Sequence, residues 1–323
     1  MPETLRYVKP TDLITGWDFS TGGVKCLAFD PSGKVVAQTR LPTDLWRGEI
    51  ADGRLVEDGC YELNLMQLEG QARASVRAMA DLLRRKKRLN DWVAGGISAT
   101  HHTAGRIDAH HNPVRRAICW NDFTLAKVHT TGLRRLGGQK KVNDLIGGPW
   151  AIRYSLSHLV KDEDNLSLDD WKRTTRMLLH GPLAAGYLTG NFDVTSVSSA
   201  ASTGIMDLRT NKWRREMLDA LADPVLRDLA WKQLPKIIDH FKPIGPLADH
   251  VALEAVVDAK QVPVVYPTSD DQAAGLVGGG AVDDGQVAVI LGNSAVVNSS
   301  SNQLPSRGSL DVMKLNWGPY LWM

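Results

Sequence analysis

Cysteine is scarce in this 323-residue chain: Cys26, Cys60 and Cys119 are odd in number and widely spaced. That excludes a disulfide framework and a cysteine-built zinc site, and suits a reducing, cytoplasmic setting. Charge of one sign is also lacking. Thirty-eight Lys and Arg stand against 36 Asp and Glu, a net charge of +2, so no global field calls for nucleic acid or an anionic membrane as partner. No apolar run approaches the roughly 18 residues of a membrane span, and the opening MPETLRYVKPTD lacks the apolar core of a signal peptide. The P-loop pattern GxxxxGK[ST] is missing, as is a GxGxxG between strand and helix, which removes the commonest phosphate-loop and dinucleotide readings. What remains, 43% hydrophobic and 23% charged residues, is the composition of a globular chain long enough for about two domains at roughly 150 residues each. Folding at this length needs no staple.

Short apolar segments at 13–18 and 24–30 flank the turn Ser20-Thr21-Gly22-Gly23, and a third strand is expected over 34–40. Leu68, Ala72, Val76, Met79, Leu82 and Leu83 fall on one face of a helix within 66–89 that ends in the basic run 84–88. That run reads as a solvated helix end, where the dipole favours cations, since no aromatic residues interleave it. Strands are expected again at 92–99, 104–108 and 114–120. Residues 123–190 read mostly as helices, with Met177, Leu178 and Leu179 on the one that stops at Thr189-Gly190. The small polar stretch 193–203 is followed by helical patterns over 213–229 and around 250–260. A strand, a turn of small residues and a returning strand then recur at 287–292 and 295–300, repeating the opening architecture.

A Ser, Thr and Gly turn between two strands offers backbone N–H groups and hydroxyls to one side, a nest for phosphate oxygens. Asp18, at the strand end beside it, is a hard oxygen ligand suited to Mg²⁺. Two such hairpins facing one another would clamp a polyphosphate. Read alone, Asp270-Asp271 fits a helix N-cap for QAAGLVG. The pairs His101-His102 and His110-His111 invite a transition-metal reading. Neighbours on a strand point to opposite faces, however, and no carboxylate completes a set at helical spacing, so metal chemistry at the histidines is not expected. Most of the ten tryptophans are expected in core and rim packing.

Four stretches taken in order carry a family resemblance. GWDFSTGGVKCLAFDPSGKVVAQT resembles the N-terminal phosphate hairpin of the FGGY carbohydrate kinases. GISATHHTAGRIDAHHNPVRRAICWND resembles their sugar-site stretch, YLTGNFDVTSVSSAASTGIMDLRTNKW their LTG, T-D-x-S-x-A-S and D-L-x-x-x-x-W segments, and VPVVYPTSDDQAAGLVGGGAVDDGQVAVILGNS their interdomain segment. The Trp-Asn-Asp ending points to the xylulokinase-like branch. The resemblance implies an α/β chain of ribonuclease-H-like, actin and hexokinase type, a mixed sheet with flanking helices. It implies a tail at 1–11, a sugar-binding domain over 12–270 and the opening of an ATP-binding domain over 271–323. It also implies ATP-dependent phosphorylation of a small sugar or polyol, a ketose such as D-xylulose foremost.

By the same resemblance Asp271 is the general base, and His101, His102, Trp120, Asn121 and Asp122 sit near the sugar together with Asp271. Ser20, Thr21, Gly22 and Lys25 form the first phosphate hairpin, Gly292, Asn293 and Ser294 the second, and Asp18 is the Mg²⁺-associated carboxylate. Sugar and ATP are the implied partners, and a homodimer is compatible with the pattern. Several residues depart from the family pattern: Ser20 replaces Gly, Asn293 replaces Thr, Thr100 replaces Gln, His101 an apolar residue and Thr103 Gly. Thr124 and Ser196 differ likewise, from Arg and Asp. Family members continue well beyond the second hairpin, so strands 287–292 and 295–300 are expected as unpaired edges of an aggregation-prone, catalytically weak chain; the alternative function is a non-catalytic sugar-binding remnant.

Overall fold

The computed structural model describes residues 8–47, 50–51, 54–55, 59–258, 262–291, 295–305 and 310–323. The chain opens with β1 (Leu13–Ser20), β2 (Gly23–Phe29) and β3 (Val35–Pro42), an antiparallel meander as the alternating pattern requires. Helix α1 (Leu65–Arg85) follows, capped by the Asn64 side chain, which accepts from the Met66 N–H at 3.0 Å, with Arg84 and Arg85 in its last turn. Its apolar stripe, including Leu68, Ala72, Val76 and Met79, is fully buried.

Next come β4 (Trp92–Ala99), β5 (Ala104–Ile107) and β6 (Pro113–Ile118), then helix α2 (Ser155–Asn165), strand β7 (Arg176–Leu179) and helix α3 (His180–Thr189). The helix expected through Met177, Leu178 and Leu179 is therefore a strand up to Leu179, with the helix beginning at His180. Those three residues are buried, and an unbroken apolar run carries no period to separate the two states. Gly190, at φ 75°, ends α3 in the left-handed conformation that glycine adopts most readily.

Strand β8 (Val194–Ser196) and helix α4 (Val197–Ala201) occupy the small polar stretch. The helical pattern over 213–229 resolves into a 3₁₀ segment at Arg215–Ala220 and an α-helix at Pro224–Gln233, broken by Asp223, which caps the second. The helix near 250 covers Asp249–Glu254. Then follow β9 (Val264–Val265), β10 (Ser269–Asp270), helix α5 (Asp271–Gly278), β11 (Val287–Leu291), β12 (Ala295–Ser301), β13 (Val312–Lys314) and β14 (Tyr320–Trp322).

In the main sheet β4 runs parallel to β1, which continues antiparallel into β2 and β3, while β9 and β10 both pair parallel with β4. A second sheet joins β7, β5 and β6 to strands 61–63 and 45–47. The ends of β1 and β4 and the start of α5 thus lie together. Trp17 and Trp92, both about 1% exposed, pack 6.0 Å apart beneath this sheet, their indole N–H groups donating to Ser75 and Thr15. A separate core joins α4 to α5, β13 and β14, so side chains on both sides of residue 270 share one apolar cluster. The last four strands pair in the order β11, β12, β14, β13. β12 is consequently an interior strand rather than the edge expected for 295–300, because β14 returns to cover it.

Candidate active site

Period-two alternation in β1 buries Leu13, Thr15, Trp17 and Phe19 and turns Asp18 and Ser20 to the other face. Across the hairpin Asp18 pairs with Lys25, Nζ to carboxylate 3.7 Å, both partly exposed. Burial raises the Asp18 carboxyl above its usual range, and Lys25 opposes that. The Ser20 hydroxyl does not project outward: it donates to the Gly23 carbonyl at 2.8 Å and accepts from the Gly22 N–H at 3.3 Å. A serine in place of glycine therefore braces its own turn.

Where β4 ends, Thr100 continues the sheet by donating its N–H to the Phe19 carbonyl, and the chain then turns sharply. His102 adopts φ 59°, an uncommon conformation for a non-glycine residue that clusters at functional sites. The turn overturns the expectation that His101 and His102 point apart: their rings stack 3.8 Å between centroids, and His102 stacks in turn on Tyr154 at 4.6 Å. The alternation rule fails because both residues follow the strand instead of lying in it. His102 Nδ1 lies 3.1 Å from the Ser202 carbonyl, so that nitrogen donates, leaving Nε2 as acceptor. Burial lowers both histidines' pKa values, that of His102 strongly.

Asp270 and Asp271 divide the roles that the sequence left joined. Asp270 is the N-cap of α5, accepting from the Ala273 N–H at 2.9 Å and receiving the Ser198 hydroxyl. Asp271, the first helical residue, is left over from capping. Its carboxyl is pushed up to about 7, first by burial and then by the negative charges of Asp270 and Asp18, against the amides of His101 and Gln272. Its Oδ1 is buried without a hydrogen-bond partner among the described residues.

One cavity of about 700 Å³ brings these elements together, a size ordinary for a small-ligand site. Ser20, Thr21, His101, His102, Trp120 and Asp271 line it. Trp120 presents a ring that is 45% exposed. Thr100, noted in the sequence as a departure from the family's sugar-site pattern, also lines the cavity, as do Arg153, Gln272 and Asp311, to which the sequence assigns no role. Arg153, just ahead of α2, forms an ion pair with Asp311, and Gln272 accepts from the Asn298 amide at 2.9 Å. No local motif marks these contacts, since each joins residues at least 26 positions apart.

Other expected residues are elsewhere. The Asp122 carboxylate is buried against Lys161 at 3.2 Å and does not line the cavity. Asn121 has a buried Oδ1 with no partner among the described residues, and it too is absent from the lining. Gly22 and Lys25 belong to the β1–β2 hairpin but stand back from the cavity wall. Gly292, Asn293 and Ser294 lie outside the described residues.

The donor chemistry suits Mg²⁺. Asp18 and Asp271 offer only hard oxygen atoms, and the charge of Asp18 makes Asp271 harder to ionise, a crowding that a dication relieves. No described helix is long and apolar enough to cross a membrane.

The N-terminal domain model of the FGGY family of carbohydrate kinases matches residues 13–278. The chain is 29% identical over 290 residues to a xylulose kinase of Escherichia coli strain K12, covering 88% of this chain and 53% of that protein. It is 27% identical over 317 residues to a glycerol kinase of Leifsonia xyli, covering 93% and 56% respectively. A ligand-bound xylulose kinase from Lactobacillus acidophilus superposes with a TM-score of 0.80 at 21% identity, over 96% of this chain and 59% of that one. The chain thus spans about half the length of the curated relatives it matches, and its fold is that of the actin and hexokinase type. With the domain model covering most of the chain, and the solved relative agreeing in fold, the protein belongs to the FGGY family of carbohydrate kinases.

Proposed function

We propose that this chain phosphorylates a small sugar or polyol with ATP, a ketose such as D-xylulose foremost. Asp271 takes the proton from the attacking hydroxyl. The observation that carries this reading is a carboxyl at the first position of α5, unused by the helix cap, facing one cavity with the β1–β2 turn and the His101-His102 turn. Phosphoryl transfer through a loose transition state demands positioning and charge neutralisation more than covalent chemistry, and a base within about 2.6–3.2 Å of the hydroxyl.

In this reading His101, His102 and Trp120 contact the sugar. Asn121 and Asp122 act behind Trp120 by holding its loop, as the buried Asp122–Lys161 pair supports. Thr21 and the backbone of Ser20 and Gly22 receive phosphate oxygens, Lys25 adds positive charge, and Gly292, Asn293 and Ser294 take the opposite side. Mg²⁺ held by Asp18 would neutralise the phosphate charge. Xylulose kinases and glycerol kinases both stand among the relatives, and the Trp120-Asn121-Asp122 sequence favours the ketose.

The test mixes the full chain with Mg-ATP and a panel of ketoses and polyols and follows ADP. One sugar is expected to raise ADP release above the sugar-free background, and Asp271→Asn is expected to lower that rate by about 10²–10⁴, the usual span for a general base. Turnover that survives Asp271→Asn would remove Asp271 as base. A sugar that raises the melting temperature while none raises ADP release would favour the non-catalytic sugar-binding alternative.

A further inference from the structure

His101, Asp270 and Asp271 each present one ligand atom, and the three atoms lie within 4.8 Å of one another. One pair, His101 Nε2 and Asp270 Oδ1, is 3.6 Å apart. A tetrahedral ion with bonds of about 2.0–2.2 Å has ligand atoms about 3.4 Å apart, so this edge already has the right length. It is too long for a hydrogen bond. His101 Nε2 and Asp271 Oδ1 are both buried and have no partner among the described residues, and the His101 side chain is only 7% exposed. Unpartnered buried polar atoms are uncommon enough to require an explanation.

We infer that His101, Asp270 and Asp271 form a site for a borderline transition-metal dication such as Zn²⁺ or Co²⁺, which holds the Asp271 carboxylate and so blocks proton transfer from the sugar. Two carboxylates and one imidazole supply three ligands, which leaves a fourth position for water or a substrate hydroxyl to complete the tetrahedron. Asp270 can join without giving up its cap, because a carboxylate oxygen has two lone pairs and Oδ1 spends one on the Ala273 N–H. Two features suit an ion there. The imidazole is kept neutral by burial, the form that ligates, and Asp271 is crowded by two further carboxylates. The mixed nitrogen and oxygen set separates this site from any seat built on Asp18: imidazole prefers Zn²⁺ and Co²⁺, whereas Mg²⁺ keeps to oxygen and gives up water reluctantly.

The blocking effect rests on the reading of Asp271 as base; the binding does not. Isothermal titration of the full chain with ZnCl₂ in millimolar Mg²⁺, together with the visible absorption of the Co²⁺ form, reads binding without turnover. One equivalent is expected, with a four- or five-coordinate Co²⁺ spectrum. His101→Gln is expected to weaken it at least tenfold, His101→Cys to restore it through a thiolate, and His110→Gln, in the exposed turn, to leave it unchanged. Melting curves establish that each variant is folded. Absence of binding by the wild-type chain, or undiminished binding by a folded His101→Gln, overturns the site. Zinc that binds without slowing an active, sugar-dependent ADP release overturns the blocking. Zinc that binds a chain inert toward every sugar upholds the site and counts against the kinase reading instead.

Discussion

Asp270 and Asp271 are adjacent, alike in chemistry and opposite in what surrounds them. The first spends its oxygens on Ala273 and Ser198, while the second keeps a buried oxygen with no partner among the described residues. A carboxyl pushed up to about 7 makes the rate of sugar phosphorylation depend on pH: it is expected to rise about tenfold per pH unit below 7 and level off above it as the base ionises. The same shift bears on stability. Between about pH 4 and 7 the native state holds a proton on Asp271 that the unfolded chain releases, so this group's contribution to stability falls as pH rises through that window. Asp271→Asn removes the burden of a buried charge. It is expected to melt several degrees above the wild type at pH 8, with the difference gone by pH 4. A variant melting lower at pH 8 would mean that the carboxylate is stabilised where it sits. Asp271 was legible in the sequence through motif order alone, since a cap and a base look identical in a single Asp-Asp pair. Arg153 and Asp311 were not legible, because an ion pair spanning 158 residues leaves no local pattern.

Elements declare themselves where one face is apolar and the other polar. The meander β1–β3 and β4 follow their periods to within about two residues of the sequence reading, and helix α1 keeps its expected face but ends at Arg85, inside the basic run, because each lies between a core and solvent or a cavity. Strand β7 loses that contrast through burial, and the serines of 196–202 lose it through pairing among themselves and with Thr268. Within β4 two adjacent glycines have different reasons. A Cβ on Gly95 would meet a Trp17 ring carbon at 2.1 Å and Thr15 Oγ1 at 2.6 Å, whereas one on Gly96 meets nothing within 4 Å. Gly95→Ala is expected to destabilise by about 1–3 kcal/mol through overpacking against the buried indole. Gly96→Ala is expected to lie within about 0.5 kcal/mol of the wild type, as surface-like substitutions usually do. Urea midpoints at constant m-value read both. Equal losses would mean that Trp17 can move aside.

At the scale of the whole molecule, the outer face of the last sheet is the feature expected to govern solution behaviour. Ala288 and Ile290 of β11 turn inward, Ile290 reaching α5, while Val287, Val289 and Leu291 are 55%, 58% and 79% exposed. Val297, opposite Val289 on β12, extends the same stripe at 56% exposure. Among the described residues β11 has a partner on one side only. An apolar stripe along an open edge is the arrangement that recruits another strand. The sequence reading anticipated two bare strands here; β14 protects one, which narrows the liability to β11. Val289→Lys combined with Leu291→Lys places two charges on the exposed face without touching the core, so the melting temperature should hold. Sedimentation velocity over rising concentration is expected to show self-association of the parent chain that the double variant loses. If the variant associates as before, contact between chains uses another surface, and the expectation of an edge-driven homodimer or aggregate fails with it.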